Sequence, residues 1–175
     1  MNQIAIQDAN ILIDLLAIGM FDHCLAAACQ FITTDIILAE LYEHQVDLIQ
    51  PYIHSGRFSV IAITAEELLE IQSLSLEDER LSIQDWSAFF YADKLGALLM
   101  TGDKRLRTMA EAKGVKVCGT LRLFDDLVSN GIISEEQACS FLQHLLRVNR
   151  RLPANECNSR MAKWCLPFLS YTNHR

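Results

Sequence analysis

The chain has 175 residues, 51% apolar and 21% charged, with a net charge of −7. That length suits one well-buried domain and is short for two, and the composition excludes a disordered chain. No apolar run nears the ~18 residues that cross a bilayer, since Asp14, Asp22 and Asp35 interrupt the N-terminal apolar part, and MNQIAIQD lacks the basic-then-apolar order of a secretory signal. A cytoplasmic protein without a membrane partner is expected.

Residues Gln3 to Asp8 alternate as a short strand, and the apolar-periodic helix Ile11 to Ile18 follows directly. A second short helix is predicted from Asp22 to Cys29, then a strand from Gln30 to Thr34. Asp35 is placed to cap a long helix reaching about Gln50, with Ile37, Leu41 and Leu48 on one stripe and Glu40, Glu43 and Asp47 on another face. Phe58 to Ile63 reads as the third strand, Thr64 opens a helix carrying Glu66, Glu67 and Glu70, and Leu74 to Arg80 is a polar connection.

The stretch LSIQDWSAFFYADKLGALLMTGD then supplies a helix and a strand with an acid at each end. Asp85 stands in the first turn of the helix, Trp86, Phe89 and Phe90 give it a core-facing side, and Gly96 stops it. Ala97 to Met100 is a continuous apolar run, as in a parallel strand covered on both faces, and Thr101-Gly102-Asp103 leaves it. A helix from Lys104 to Lys113, Gly114 as its C-cap, and a strand Val115 to Cys118 complete the alternation. Helices are expected from about Leu121 to Ser129 and from Ser134 to about Arg150, the latter with a Ser134/Gln137 capping box. Pro153 breaks the pattern, and Asn155 to Leu166 carries one more amphipathic turn or two. The implied fold class is α/β, a three-layer sandwich around a parallel sheet of about five strands. Residues 1–150 are read as the domain and 151–175 as a basic extension packed on it. From Arg147 onward, Arg147, Arg150, Arg151, Arg160, Lys163 and Arg175 stand against Glu156 alone, so the body is more acidic than the net charge suggests. The six cysteines form no C-x-x-C pair and have no clustered histidines beside them, so they read as reduced, mostly buried thiols.

In open parallel sheets ligands bind beyond the carboxyl ends of the strands. Asp8 and Asp103 stand at two such ends, and Glu40 and Asp85, each near a helix start, can lean toward the same edge. Each acid also has a plainer explanation. Asp85 can complete a capping box with Ser82, Asp103 can cap the helix at Lys104, Asp8 can bind local turn amides, and Glu40, with Glu43 as its rival, can be a solvated glutamate. Two unscreened carboxylates about 5 Å apart repel by roughly 3 kcal/mol at an effective dielectric of ~20, so four in one cleft need a cation. All-oxygen ligation favours Mg²⁺ or Mn²⁺, and such ions activate water toward phosphodiesters.

The segments DANILIDL, AEL near position 40, LSIQD, LLMTGDKRL and VKVCGT resemble, in order and spacing, the PIN-domain nucleases, which include the toxin ribonucleases of VapC type. The resemblance spans roughly residues 3 to 130; the tail after about Arg150 has no counterpart in it. It implies the strand order 3-2-1-4-5 and RNA cleavage. By matching position it implies Asp8, Glu40, Asp85 and Asp103 as the metal-binding catalytic acids, with Asn10 and Thr101 in support. It also implies RNA as substrate, an antitoxin protein as a partner for a toxin member, and a homodimer.

Competing chemistries fit less well. The five histidines have no ligand spacing, no phosphate-cradling G-x-x-x-x-G-K loop is present, and the Asp8-Ala9-Asn10 turn lacks the D-x-D pair of a small-molecule phosphohydrolase. Lys104, Arg105 and Arg107 directly follow Asp103, where they can meet substrate phosphates, and solvation on the helix surface explains them equally well. The alternative from another class is a catalytically silent domain that binds RNA or a protein, and metal binding separates the two.

Overall fold

The computed structural model describes residues 3–27, 29–149 and 151–165. Five strands, β1 (Gln3–Gln7), β2 (Cys29–Thr34), β3 (Ser59–Ile61), β4 (Leu98–Met100) and β5 (Val117–Cys118), form one parallel sheet in the order β3-β2-β1-β4-β5. β1 is its centre. Ile6 lies beside Ile32 of β2 on one side and Leu99 of β4 on the other. Ala5 and Ile6 point to opposite faces of the strand and both are fully buried, so the sheet is covered on both sides.

The helices are α1 (Ala9–Ala17), α2 (Phe21–Leu25), α3 (Asp35–Leu38), α4 (Glu43–His54), α5 (Ala65–Ser75), α6 (Ile83–Lys94), α7 (Lys104–Ala112), α8 (Thr120–Ser129), α9 (Glu135–Val148) and α10 (Ala154–Trp164). From β1 the chain winds outward through β2 to β3, then returns across the sheet to β4 and winds outward the other way. Crossovers between parallel strands are right-handed, so this reversal sends the two sets of connecting helices to opposite faces. The packing agrees. α6 lies against β1, β2 and β4 with α5 and α7 beside it, whereas α1 packs with α2, α4 and α9, and α8 closes on α2 and α9. The buried Trp86 of α6 meets Phe89 edge to face at 5.7 Å, and Phe31, Phe58 and Phe124 fill other parts of the core. Gly96, at φ 58°, turns the chain from α6 into β4.

Several expectations are corrected. The long helix predicted from Asp35 to Gln50 is two helices, because Gln45 Oε1 accepts from the Tyr42 N–H at 2.9 Å and starts a new helix there. The restart changes the phase of the apolar stripe, so Ile49 is buried and Leu48 is exposed. Thr34, not Asp35, caps α3, its hydroxyl accepting from the Ile37 N–H. α4 also runs through Pro51 to His54, with the Tyr52 carbonyl accepting from the Arg57 and Phe58 N–H groups to fold the chain back into β3. The helix expected from Asp22 to Cys29 is shorter, and the segment after Pro153 is a full helix, α10, not a turn or two. Two of the thiols read as reduced are joined: α9 and α10 pack together, bringing the Cα atoms of Cys139 and Cys165 to 5.3 Å, and a disulfide links them. Spacing in sequence hides such a pair, since 26 residues separate them. Cys24, Cys29, Cys118 and Cys157 are free. Arg150 and the tail beyond residue 165, with the Arg175 and His174 read above, lie outside the described residues. Among the described residues, no helix is long and apolar enough to cross a membrane.

Candidate active site

The reversal of winding lies between β1 and β4, where the connections leave for opposite faces and open a crevice at the strand ends. The sequence puts Asp8 directly after β1 and Thr101-Gly102-Asp103 directly after β4. Asp8 is 2% exposed. Its N–H donates to the Met100 carbonyl, extending the β1–β4 ladder by one residue, and its Oδ1 accepts from the Ile11 N–H at 2.9 Å as the N-cap of α1. Its Oδ2 accepts from the Thr101 hydroxyl. The same hydroxyl accepts from the Asp103 N–H at 2.9 Å, so one fully buried threonine side chain ties the two strand ends together. Asp103 in turn caps α7, its Oδ1 accepting from the Arg105 and Leu106 N–H groups, each at 2.8 Å.

Asp85 reaches this edge on α6. The Ser82 side chain accepts from the Asp85 N–H, and Asp85 Oδ2 accepts from both the N–H and the hydroxyl of Ser82 at 2.9 and 2.8 Å, a capping box. The first turns of α6 are held to the end of β2 by a buried hydroxyl pair, Thr34 and Ser87, 3.0 Å apart. The plainer readings of Asp8, Asp85 and Asp103 as helix caps are therefore all correct as geometry. Capping does not consume these carboxylates. Among the described residues, Asp85 engages Oδ2 alone and Asp103 engages Oδ1 alone, which leaves one oxygen of each without a hydrogen bond.

The charges of these acids act on one another across this edge. Burial pushes the Asp8 carboxyl up to about 7; its bonds from Thr101 and Ile11 oppose the rise, and the charges of Asp85 and Asp103 add to it. Glu40 is raised by partial desolvation and by the charge of Asp85. It is exposed, in the turn between α3 and α4 and not on a helix face as predicted, so it stands at the rim. Glu43 is the exposed first residue of α4. Among the described residues, no three acidic, histidine or cysteine side chains close around a single point as a ready metal cage. An open set of carboxylates with unengaged oxygens and one carboxyl forced toward neutrality nevertheless fits a hard cation. Mg²⁺ in particular takes only one or two carboxylates and keeps several of its waters. The free thiol nearest the strand ends, Cys118, is pushed by burial to about 11 and stays protonated, so it is no nucleophile.

Of the supporting residues, Thr101 is central and Asn10 is exposed in the first turn of α1, beside the crevice. The three basic residues after Asp103 part company. Arg105 is turned away to Asp78 at 3.2 Å, Arg107 donates from Nη2 to the Thr101 carbonyl at 3.0 Å, and Lys104 lines the crevice. Sequence reasoning missed two features: the Thr34–Ser87 pair, and Asp14, a 9%-exposed acid whose Oδ2 accepts from Asn149 Nδ2 at 2.7 Å. Asp14 was detectable as a lone acid among Ile11, Leu12 and Leu15, which are all fully buried.

A sequence-family profile described as a PIN domain matches residues 4–165. Among solved structures, that of PAE2754 from Pyrobaculum aerophilum is similar at a TM-score of 0.51 and 18% identity, covering 74% of this chain and 98% of that chain. At that identity the likeness concerns the fold alone. No curated protein matches the chain.

Proposed function

Because the chain belongs to the PIN-domain family, whose members are generally nucleases that use divalent metals, we propose that it is an endoribonuclease dependent on Mg²⁺ or Mn²⁺. The observation that carries this reading is the Thr101 hydroxyl, which joins buried Asp8 to Asp103 at the point where the sheet reverses its winding. Asp8, Asp85 and Asp103 would hold the cation, with Glu40 closing from the rim. When bound, the ion supplies a water of lowered pKa and neutralises charge growing on the phosphoryl group.

The chain's own residues prepare that site. Thr101 orients Asp8 Oδ2 and fixes the backbone of Asp103, while the Ser82 capping box fixes Asp85 with one oxygen unengaged. Burial of Asp8 strengthens its attraction for any positive charge, since little water competes there. Residues 1–150 form the catalytic domain in this reading and 151–175 its extension, in a cytoplasmic protein. A VapC-type toxin would add a homodimer and an antitoxin partner. That finer assignment is tested by whether expressing the chain arrests growth and whether a small protein encoded beside it relieves the arrest.

The direct test is cleavage of a fluorogenic RNA with Mg²⁺ or Mn²⁺. Asp8→Asn and Asp103→Asn are expected to lower the rate by roughly 100-fold or more while leaving the fold intact. Equal cleavage by wild type and both variants would remove the reading. One observation favours the catalytically silent alternative: Asp8, Asp85 and Asp103 all have a complete structural role as helix caps. In that case wild-type protein would cleave nothing with either ion.

A further inference from the structure

The outer wall of the crevice runs from Asn149 through Arg151, Leu152 and Pro153 to Glu156 on α10. Two anchors hold it. At its start, Asn149 Nδ2 donates to buried Asp14 on α1 at 2.7 Å, and Asn149 Oδ1 accepts from the Arg151 N–H at 2.9 Å. At the far end of α10, the C-cap residue Cys165 is joined to Cys139 on α9. The disulfide therefore closes a covalent ring, 26 residues in span, that contains the whole wall.

Between those anchors α10 is weakly fixed. Of its 11 residues only Cys157 and Trp164 are buried. Trp164 stacks on Phe124 of α8 at 6.1 Å, yet its Nε1–H is buried without a partner among the described residues, which offsets part of that docking. Arg160 pairs with the Asp125 carboxylate of α8, which water reaches and screens. Asn155, Asn158 and Ser159 are poor helix formers, and a helix this short is marginal in water without tertiary support. The covalent tie at its end is thus a main part of what keeps α10 in place.

That tie is within reach of solvent. Cys139 and Cys165 are both partly exposed, so a small thiol can attack either sulfur, and exposed disulfides are the labile kind. The four free thiols do not compete: burial pushes Cys29 and Cys118 up to about 11 and raises Cys24 and Cys157, so all stay protonated near neutral pH. Gln143 Nε2 lies 3.5 Å from Cys139 Sγ, placed to donate to a thiolate released there.

We propose that Cys139 and Cys165 form a reversible thiol–disulfide latch on α10, exchanging with small thiols of the glutathione class and setting how firmly the outer wall of the crevice is closed. In opening, a glutathione thiolate attacks Cys165 Sγ, and the electron pair of the protein S–S bond leaves on Cys139 Sγ. A second glutathione thiolate attacks the sulfur of the bound glutathione and releases Cys165 as its thiolate. The protein disulfide gains two electrons, two glutathiones are oxidised to one glutathione disulfide, and their two protons end on Cys139 and Cys165. Closing is the reverse, with glutathione disulfide as the oxidant. The latch acts on the wall whether or not the crevice cuts RNA.

The test is hydrogen–deuterium exchange of the full chain, oxidised or incubated with millimolar glutathione, with free thiols counted by alkylation under denaturing conditions. Glutathione is expected to raise that count from four to six. The α10 amides are then expected to exchange roughly ten-fold faster or more, with β1 and β4 unchanged. Added glutathione disulfide is expected to restore both values. Cys139→Ser and Cys165→Ser are each expected to match reduced wild type in either buffer, and the wild-type comparison decides alone if neither variant folds. A bond that survives glutathione, or equal α10 exchange in both states, overturns the proposal. Loss of protection in β1 and β4 as well also overturns it, because the bond would then hold the whole fold and not α10.

Discussion

Thr101 spends its one proton on Asp8 and its lone pairs on Asp103, so it couples two acids that stand 95 residues apart in the chain. Thr101→Val keeps the shape but leaves Asp8 Oδ2 and the Asp103 N–H without partners, at a cost of roughly 1–3 kcal/mol for each unpaired buried group. Thermal denaturation is expected to show that loss and RNA cleavage to fall with it, while Thr101→Ser restores both. Asp8 itself makes stability depend on pH. Burial raises its carboxyl to about 7 in the folded chain, so the folded state keeps a proton that the unfolded chain releases near pH ~4. The stabilisation is complete below the unfolded value and is lost as pH rises through about 7. In EDTA the thermal midpoint is therefore expected to fall between about pH 5 and about pH 8, and Asp8→Asn to flatten that fall. A midpoint that rises over this interval in wild type would contradict the burial argument.

At the scale of elements, the site is a set of helix starts. α1 and α7 start from the aspartate N-caps Asp8 and Asp103, and α6 carries Asp85 in the capping box of Ser82, so residues that fix helix starts are also the candidate ligands. Ser82→Ala breaks the box that fixes Asp85, with an expected loss of about 1 kcal/mol, or about 2–4 °C in Tm for a chain of this size. Cleavage should drop further than that stability loss explains, and a drop in stability alone would leave Asp85 merely structural. Helix starts were legible where capping residues leave local signatures: S-x-x-D at Ser82, S-x-x-Q at Ser134, and Thr64 opening α5. The break between α3 and α4 was not, since tyrosine is a poor signal for a helix start and the acceptor is the Gln45 side chain three residues on. That miss placed Glu40 on a helix face and Leu48 in the core, and both corrections follow from the one restart.

For the molecule as a whole, the alternation of strands and helices was enough to predict a parallel sheet, and the order β3-β2-β1-β4-β5 came with the family resemblance, not from periodicity. Contacts between distant segments had no local signal at all. The Asn149–Asp14 bond, the Thr34–Ser87 pair and the Cys139–Cys165 link each depend on where separate elements come to rest. The same holds for the central claim, that acids dispersed over the chain share one cation at the reversal point of the sheet. Calorimetric titration of the folded protein with Mn²⁺ at neutral pH tests it most directly. The account predicts a saturable heat in wild type that is lost in both Asp8→Asn and Asp103→Asn; no heat in wild type, or the same heat in all three proteins, would contradict it.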